Sequence, residues 1–288
     1  MNNAAMDMEP TKSWNIRLVD LTLGYEDKVI LDRINASMPG GKITVILGGS
    51  GGGKSTLLRH LVGLRKPLSG KIMLDKYDLF ELSDKSFRAL RRRMGMLFQD
   101  GALLGSLSLA DNVGLPLKEH TGLSEKTIAE VVQYNLDLVG LADYGDYYPN
   151  ELSGGMRKRA GLARAMITSP PILLCDEPTS GLDPINAAQM DALLVSLKKQ
   201  NPDMTIVVVS HDIESLYTIA DHVMVLNNGG IAYNGSMEDL KQTKDPFLRR
   251  FLDRNTIYEE TREDLRFAMR PETRNKVQNA LDAWLDKG

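Results

Sequence analysis

Apolar positions along this 288-residue chain change their period several times, and each change marks an element. From Trp14 to Leu23 they alternate (Ile16, Leu18, Leu21, Leu23), the period of a half-buried strand. Lys42 to Leu47 (KITVIL), a β-branched run closed by glycines, predicts another strand, whereas Ser55 to Leu64 (STLLRHLVGL) has helical spacing. Gly70 to Leu74 is strand-like again. SDKSFRALRRR predicts a helix with Ser83 as its N-cap, because a serine hydroxyl accepts from the free amides of a first turn. MGMLFQ from Met94 reads as a buried strand.

From about residue 100 to 165 the pattern turns helical, punctuated by Asn112, Pro116, Gly122 and Pro149, and predicts an inserted helical subdomain. Strands return at Ile172 to Cys175 and Thr205 to Val209, separated by a helix from about Ile185 to Gln200. This alternation predicts an α/β fold with a mainly parallel, helix-covered sheet. Val223 to Leu226 and Gly230 to Tyr233 predict a hairpin around Asn227-Asn228-Gly229. The expected division is a flexible start over 1–13, a main domain over 14–244 and a C-terminal helical extension over 245–288, with Phe247, Leu248, Phe251 and Leu252 on one face.

Composition adds limits. A net charge of -3 and a pI near 5.9 supply no global basic field, so nucleic acid is not an expected partner. One cysteine, Cys175, excludes an intrachain disulfide. No run approaches the roughly 18 apolar residues of a membrane span, so work at a membrane would need another chain to do the spanning.

The candidate chemistry sits at strand ends. KITVIL runs into GGSGGGKST, which matches G-x-x-x-x-G-K-[ST]. Gly48, Gly49, Ser50, Gly51, Gly52 and Gly53 let successive amides face a phosphate, Lys54 reaches the outer phosphates, and the Ser55 hydroxyl suits Mg2+. Thr56 meets an inner phosphate. Nucleotide binding follows, with kinase, GTPase, helicase and transport ATPase all open. ILLC ends in Asp176 and Glu177, the first suited to magnesium through water, the second to polarising an attacking water. TIVVV delivers His211 to the same kind of edge. Gln99 follows MGMLF and is a candidate for magnesium or the water. Tyr25, on a turn between two strand-like runs, is a candidate for stacking on adenine or for core packing. LSGGMRKRAGLARA, from Leu152, is a second helix start suited to an anion, followed by Arg157, Lys158 and Arg159.

Tyr25, GGSGGGKST, Gln99, LSGGM, ILLCDEP, SGLD (Ser180 to Asp183) and His211, in this order, resemble the nucleotide-binding domain of ATP-binding cassette (ABC) proteins over about residues 14 to 240. The resemblance implies a P-loop fold with a RecA-like parallel core sheet, an N-terminal antiparallel β subdomain and the helical insertion. It implies ATP and Mg2+ as cofactors and a head-to-tail homodimer, in which Ser153, Gly154, Gly155 and Asp183 act in trans on the partner's ATP. Lys54, Ser55, Gln99, Asp176, Glu177 and His211 act in cis. A narrower resemblance, carried by GALL, DNV, PL and EHT within residues 101 to 121 and by Met156, is to the ATPases of Mla-type phospholipid transporters and their relatives for solvent tolerance and Mce-type lipid uptake. That implies transmembrane permease subunits whose coupling helix docks after Gln99, an MCE-type lipid-binding subunit, a small accessory subunit, and a place on the cytoplasmic side of a bacterial inner membrane. The ATPase of a polar amino-acid importer or a lipoprotein-release system, and a soluble ABC protein of translation or repair, stay open as alternatives.

Overall fold

The computed structural model describes residues 12–25, 28–49 and 51–252. The chain divides into two units, residues 1–241 and 242–288. In the first, β1 (Ile16–Tyr25) pairs antiparallel with β2 (Lys28–Met38), Tyr25 opposite Lys28, so the tyrosine ends a strand instead of occupying the turn. Its alternation holds only to Leu18. A register shift follows, with Asp20 at φ 43, and Leu21 to Gly24 are then all buried.

β3 (Ile43–Gly48) is buried throughout and leads into α1 (Lys54–Leu61). β4 (Ser69–Leu74) pairs with β1 and β5 (Tyr77–Asp78) with β4, closing a four-stranded antiparallel sheet. α2 (Asp84–Arg91) is capped as expected, the Ser83 hydroxyl accepting from the Ser86 amide at 3.3 Å. β6 (Met94–Leu97) is shorter than MGMLFQ suggests. It is an edge strand with one neighbour, and its residues alternate between buried and half-buried.

The helical insertion comprises α3 (Leu109–His120), α4 (Glu125–Leu138) and α5 (Gly154–Met166) around a core of its own, with Leu109, Val113, Ile128, Val132, Leu136 and Ala160 inside. Fully buried Asn112 organises the loop before α3: its amide nitrogen donates to the carbonyls of Leu104, Leu107 and Ser108, and its oxygen accepts from the Leu104 amide at 2.7 Å. Such complete satisfaction is what a buried amide requires.

The chain returns to the sheet with β7 (Ile172–Asp176), α6 (Pro184–Gln200), β8 (Thr205–Val209) and α7 (Ile213–Ile219). β9 (His222–Asn227), β10 (Gly230–Ser236) and α8 (Met237–Lys241) complete the unit. The hairpin turns on Asn228 and Gly229, both at positive φ, as a two-residue loop demands. The sheet order is β10-β9-β3-β8-β7-β6, parallel except for β10. One apolar core joins both sheets through α1, with Trp14, Leu21 and Met38 in the same cluster as Leu57, Ile172 and Met224. The second unit begins with α9 (Pro246–Leu252), where the Asp245 carboxylate accepts from the amides of Phe247 and Leu248. The expected extension beyond Leu252, like the expected flexible start before Lys12, lies outside the described residues.

Candidate functional site

Strand register decides where the motifs meet. Ile46 on β3 lies beside Val209 on β8, Val209 beside Asp176 on β7, and Cys175 beside Leu97 on β6. Four carboxyl ends therefore finish almost level along one sheet edge, where open α/β sheets hold ligands. The chain order is β3, β6, β7, β8, but the spatial order is β3, β8, β7, β6. His211 consequently emerges between the glycine loop and the acidic pair.

In the loop, Gly53 takes φ 93 just before α1, and a Cβ there would lie 2.9 Å from Leu31 Cγ. Conformation and space both demand glycine. Lys54 is only 8% exposed, and its Nζ donates to the carbonyls of Gly48 at 2.8 Å and Gly49 at 3.2 Å, so the ammonium lies across the loop. The Ser55 hydroxyl donates to Asp176 Oδ1 at 3.1 Å. This pair of oxygen donors, with Asp176 itself 8% exposed, is of the kind a hard cation such as Mg2+ prefers. Ser50 lies outside the described residues.

Tyr25 reaches the same region, its hydroxyl 3.5 Å from that of buried Thr56. That hydrogen bond, with Arg59 and Arg65 behind it, holds the phenol below its usual range. The Arg65 guanidinium lies 4.4 Å from the ring centroid, a cation–π contact on one ring face.

Glu177 stands at φ 50, left-handed for a non-glycine residue, a conformation that concentrates at functional sites. Its amide donates to the Val209 carbonyl at 2.9 Å, and its Oε2 lies 2.6 Å from His211 Nδ1. A carboxylate steadied by an imidazole in this way can accept a proton from water. Gln99 does not join this group by hydrogen bonding: it lies two residues beyond β6, exposed, in a turn closed by the Gly101 amide on the Phe98 carbonyl.

Ser153 is the N-cap of α5, its hydroxyl accepting from the Met156 amide at 3.2 Å, and Asp183 is the N-cap of α6, accepting from the amides of Ile185 and Asn186. The Asn186 side chain also donates to Asp183, and this bond, first among several, keeps the carboxyl below the usual range. Asn186 is a residue the sequence reading missed. A Cβ on buried Gly155 would meet its Oδ1 at 3.2 Å, so it packs between the two helix starts. Ser153, Gly154 and Asp183 are exposed, and the hydrogen bonds of Ser153 and Asp183 side chains stay within α5 and α6.

The three basic residues after the signature turn inward to carbonyls. Arg157 donates to Leu152 at 2.6 Å and Arg159 to Val139 at 3.3 Å, while Lys158 donates to both Glu177 and Ser180. A sequence signal existed, since Lys158 shares a helical face with buried Gly161 and Ala165. Behind His211, Asp212 caps α7 and meets buried Ser215, whose hydroxyl donates to Asp191 Oδ2 at 2.7 Å. Asp191 is 4% exposed and its Oδ1 has no partner. Burial pushes its pKa up to about 6.

With this geometry in view, the profile described as ABC transporter matches residues 31–180. The chain belongs to the ABC transporter family. It is 41% identical over 242 residues to the probable ribonucleotide transport ATP-binding protein mkl of Mycobacterium leprae, covering 84% of this chain and 70% of that one. It is also 41% identical to the intermembrane phospholipid transport system ATP-binding protein MlaF of Haemophilus influenzae (82% and 89% covered) and 39% identical to that of Escherichia coli K12 (85% and 91%). Among solved structures, the dimeric ATP-binding cassette MJ0796, bound to ADP and Pi after hydrolysis, superposes with a TM-score of 0.71 at 30% identity, over 77% of this chain and 98% of that one. CbiO1 of Clostridium perfringens gives 0.73 at 30% identity over 87% and 99%. The fold is thus that of a P-loop ABC cassette, and the chain is an ABC-type ATPase that binds ATP. Among the described residues no helix is long and apolar enough to cross a membrane.

Proposed function

We propose that this chain is the ATPase of an Mla-type transporter moving phospholipid between the inner and outer membranes of a bacterial envelope. The observation that carries the reading is the identity with two MlaF proteins, which extends over 89% and 91% of their lengths. A second reading comes from mkl, whose name points to ribonucleotide transport, but this chain spans only 70% of that protein.

In the proposed cycle two copies close head to tail on two ATP molecules at the cytoplasmic face of the inner membrane. Lys54 and the amides from Gly48 to Thr56 hold the phosphates, and Tyr25 stacks on adenine with the ring face away from Arg65. Ser55, Asp176 through water, and Gln99 hold Mg2+, which supplies charge neutralisation at the phosphates. Glu177 takes the proton of the attacking water, and His211 steadies Glu177 and the terminal phosphate. Ser153, Gly154, Gly155 and Asp183 complete the partner's site.

A groove of about 560 Å³ beside Phe98 supports the docking of a permease coupling helix after Gln99. Arg88, Arg91 and Arg92 from α2, His120 from α3 and Arg164 from α5 line it, with half-exposed Met94 and Met96 beneath. The permease, an MCE-type lipid-binding subunit and a small accessory subunit complete the proposed assembly.

The test is purification of the full chain from bacterial membranes with its partners, followed by mass spectrometry of subunits and bound small molecules. The expected result is a multispanning permease with phospholipid bound. Recovery of a permease that holds ribonucleotide and no phospholipid would sink the lipid reading.

A further inference from the structure

The basic residue inside the signature helix has a use that the phosphate chemistry leaves unexplained. Lys158 is 5% exposed, and its Nζ donates to the carbonyls of Glu177 at 2.8 Å and Ser180 at 2.6 Å. The Ser180 amide donates to the same Glu177 carbonyl at 3.2 Å, so residues 177 to 180 form a tight turn whose two carbonyls converge on one ammonium. Burial lowers the lysine pKa, and the charges of Asp100, Glu177 and Asp176 pull it back toward the charged form. A buried ammonium is retained only where its donors are used.

The turn it grips carries two functional groups. At one end Glu177 keeps a left-handed φ of 50, which a non-glycine residue holds only when its surroundings enforce it. At the other the chain runs through Gly181 and Leu182 to Asp183, the cap of α6. Lys158 stands one turn inside α5, whose exposed first residues, Ser153 and Gly154, are assigned above to the partner's nucleotide.

We propose that Lys158 is a positioning residue for hydrolysis: from the signature helix it fixes the backbone of Glu177, and hence the aim of the carboxylate, and it sets the start of the segment that leads to Asp183. One rigid helix then joins the chain's own general base to the surface that completes the other composite site. This inference rests on Glu177 acting as the base and on the signature acting in trans.

The test uses the full-length protein, comparing Lys158→Met, Lys158→Gln, Glu177→Gln and the double variant Lys158→Met/Glu177→Gln by steady-state phosphate release and binding of a fluorescent ATP analogue. Misplacement of a catalytic group by about 1 Å costs on the order of 100-fold in rate. Lys158→Met should therefore lower kcat roughly 10- to 100-fold while KM and nucleotide affinity stay within about twofold. Lys158→Gln, which restores N–H donors on a shorter side chain, should lose only about three- to tenfold. In the Glu177→Gln background the methionine change should add less than about threefold, because Lys158 acts through Glu177. If the methionine variant does not fold, the glutamine variant carries the same test of kcat against KM.

Unchanged kcat in Lys158→Met overturns the proposal. So does a parallel loss of kcat, affinity and melting temperature that glutamine fails to relieve, which would mark a purely structural tether, and so does a full additional loss in the double variant. Wild-type turnover by Glu177→Gln identifies a different failure, that of the base itself, and removes the ground on which the positioning role stands.

Discussion

Replacing Glu177 with Gln separates folding from chemistry at this site. Glu177 Oε2 lies 2.6 Å from His211 Nδ1, and glutamine has the same size and an oxygen that accepts in the same place. The backbone amide of Glu177, which donates to the Val209 carbonyl, and its backbone carbonyl, which accepts from Lys158 Nζ, are untouched. What the folded state loses is the difference between a charged and a neutral acceptor, about 1 kcal/mol for one hydrogen bond. What the reaction loses is the proton acceptor, typically worth 10²- to 10⁴-fold, or about 3 to 5 kcal/mol in the barrier. The barrier term exceeds the folding term several-fold, so ATP binding should persist while kcat falls at least 100-fold. Phosphate release measured beside nucleotide affinity reads both quantities, and sedimentation with ATP and Mg2+ should show dimers accumulating because the step that reopens them is blocked. A kcat within tenfold of wild type would refute the assignment of Glu177 as base.

Lys54→Ala and Ser153→Ala chains should each be inactive alone; mixed, they should recover roughly a quarter to a half of one-site turnover if Ser153 serves the partner's ATP, and no recovery would count against a composite site. Asp191→Asn tests the buried carboxylate. Its folded pKa of about 6 stands above the ordinary 3.8 of an aspartate, so the stability linked to its protonated form is complete below pH 4 and is lost as pH rises through 6. The asparagine variant should therefore be more stable by about 1 to 3 kcal/mol at pH 8 and gain nothing at pH 4, as read by denaturant titration. Gly161→Ala would set a Cβ 2.9 Å from the Gly101 carbonyl oxygen and Cα, backbone atoms that cannot swing aside. A loss of about 1 to 3 kcal/mol is expected in thermal unfolding, and an unchanged melting temperature would show that α5 and the turn after Gln99 separate freely.

Much of this site was legible because its chemistry is local. The glycine loop is a run of small residues with left-handed backbone at Gly51 and Gly53, a pattern readable from consecutive positions, and the helix cap at Ser83 depends on an amide three residues away. The hairpin at Asn228-Gly229 is equally local. The misreadings have nonlocal causes. MGMLFQ is apolar enough for an interior strand, but β6 has one neighbour and stops at Leu97, which leaves Phe98 38% exposed beside the basic groove and Gln99 in a turn. Lys158 read as part of a basic run behind an anion-binding helix start, and only the packing of α5 against the loop after β7 shows where its ammonium goes.

By itself, then, the sequence determined the phosphate loop, the acidic pair, the signature helix start and the alternation that makes an α/β cassette, because each rests on contacts within a few residues. The tertiary structure decided the rest. The strand order β3-β8-β7-β6 puts His211 on Glu177 across 34 positions of chain and Ser55 on Asp176 across 121, and the packing of α5 makes Lys158 a buried clasp. The reason is that side-chain period records which face of an element is covered, whereas the neighbour that covers it is chosen by the packing of the whole sheet.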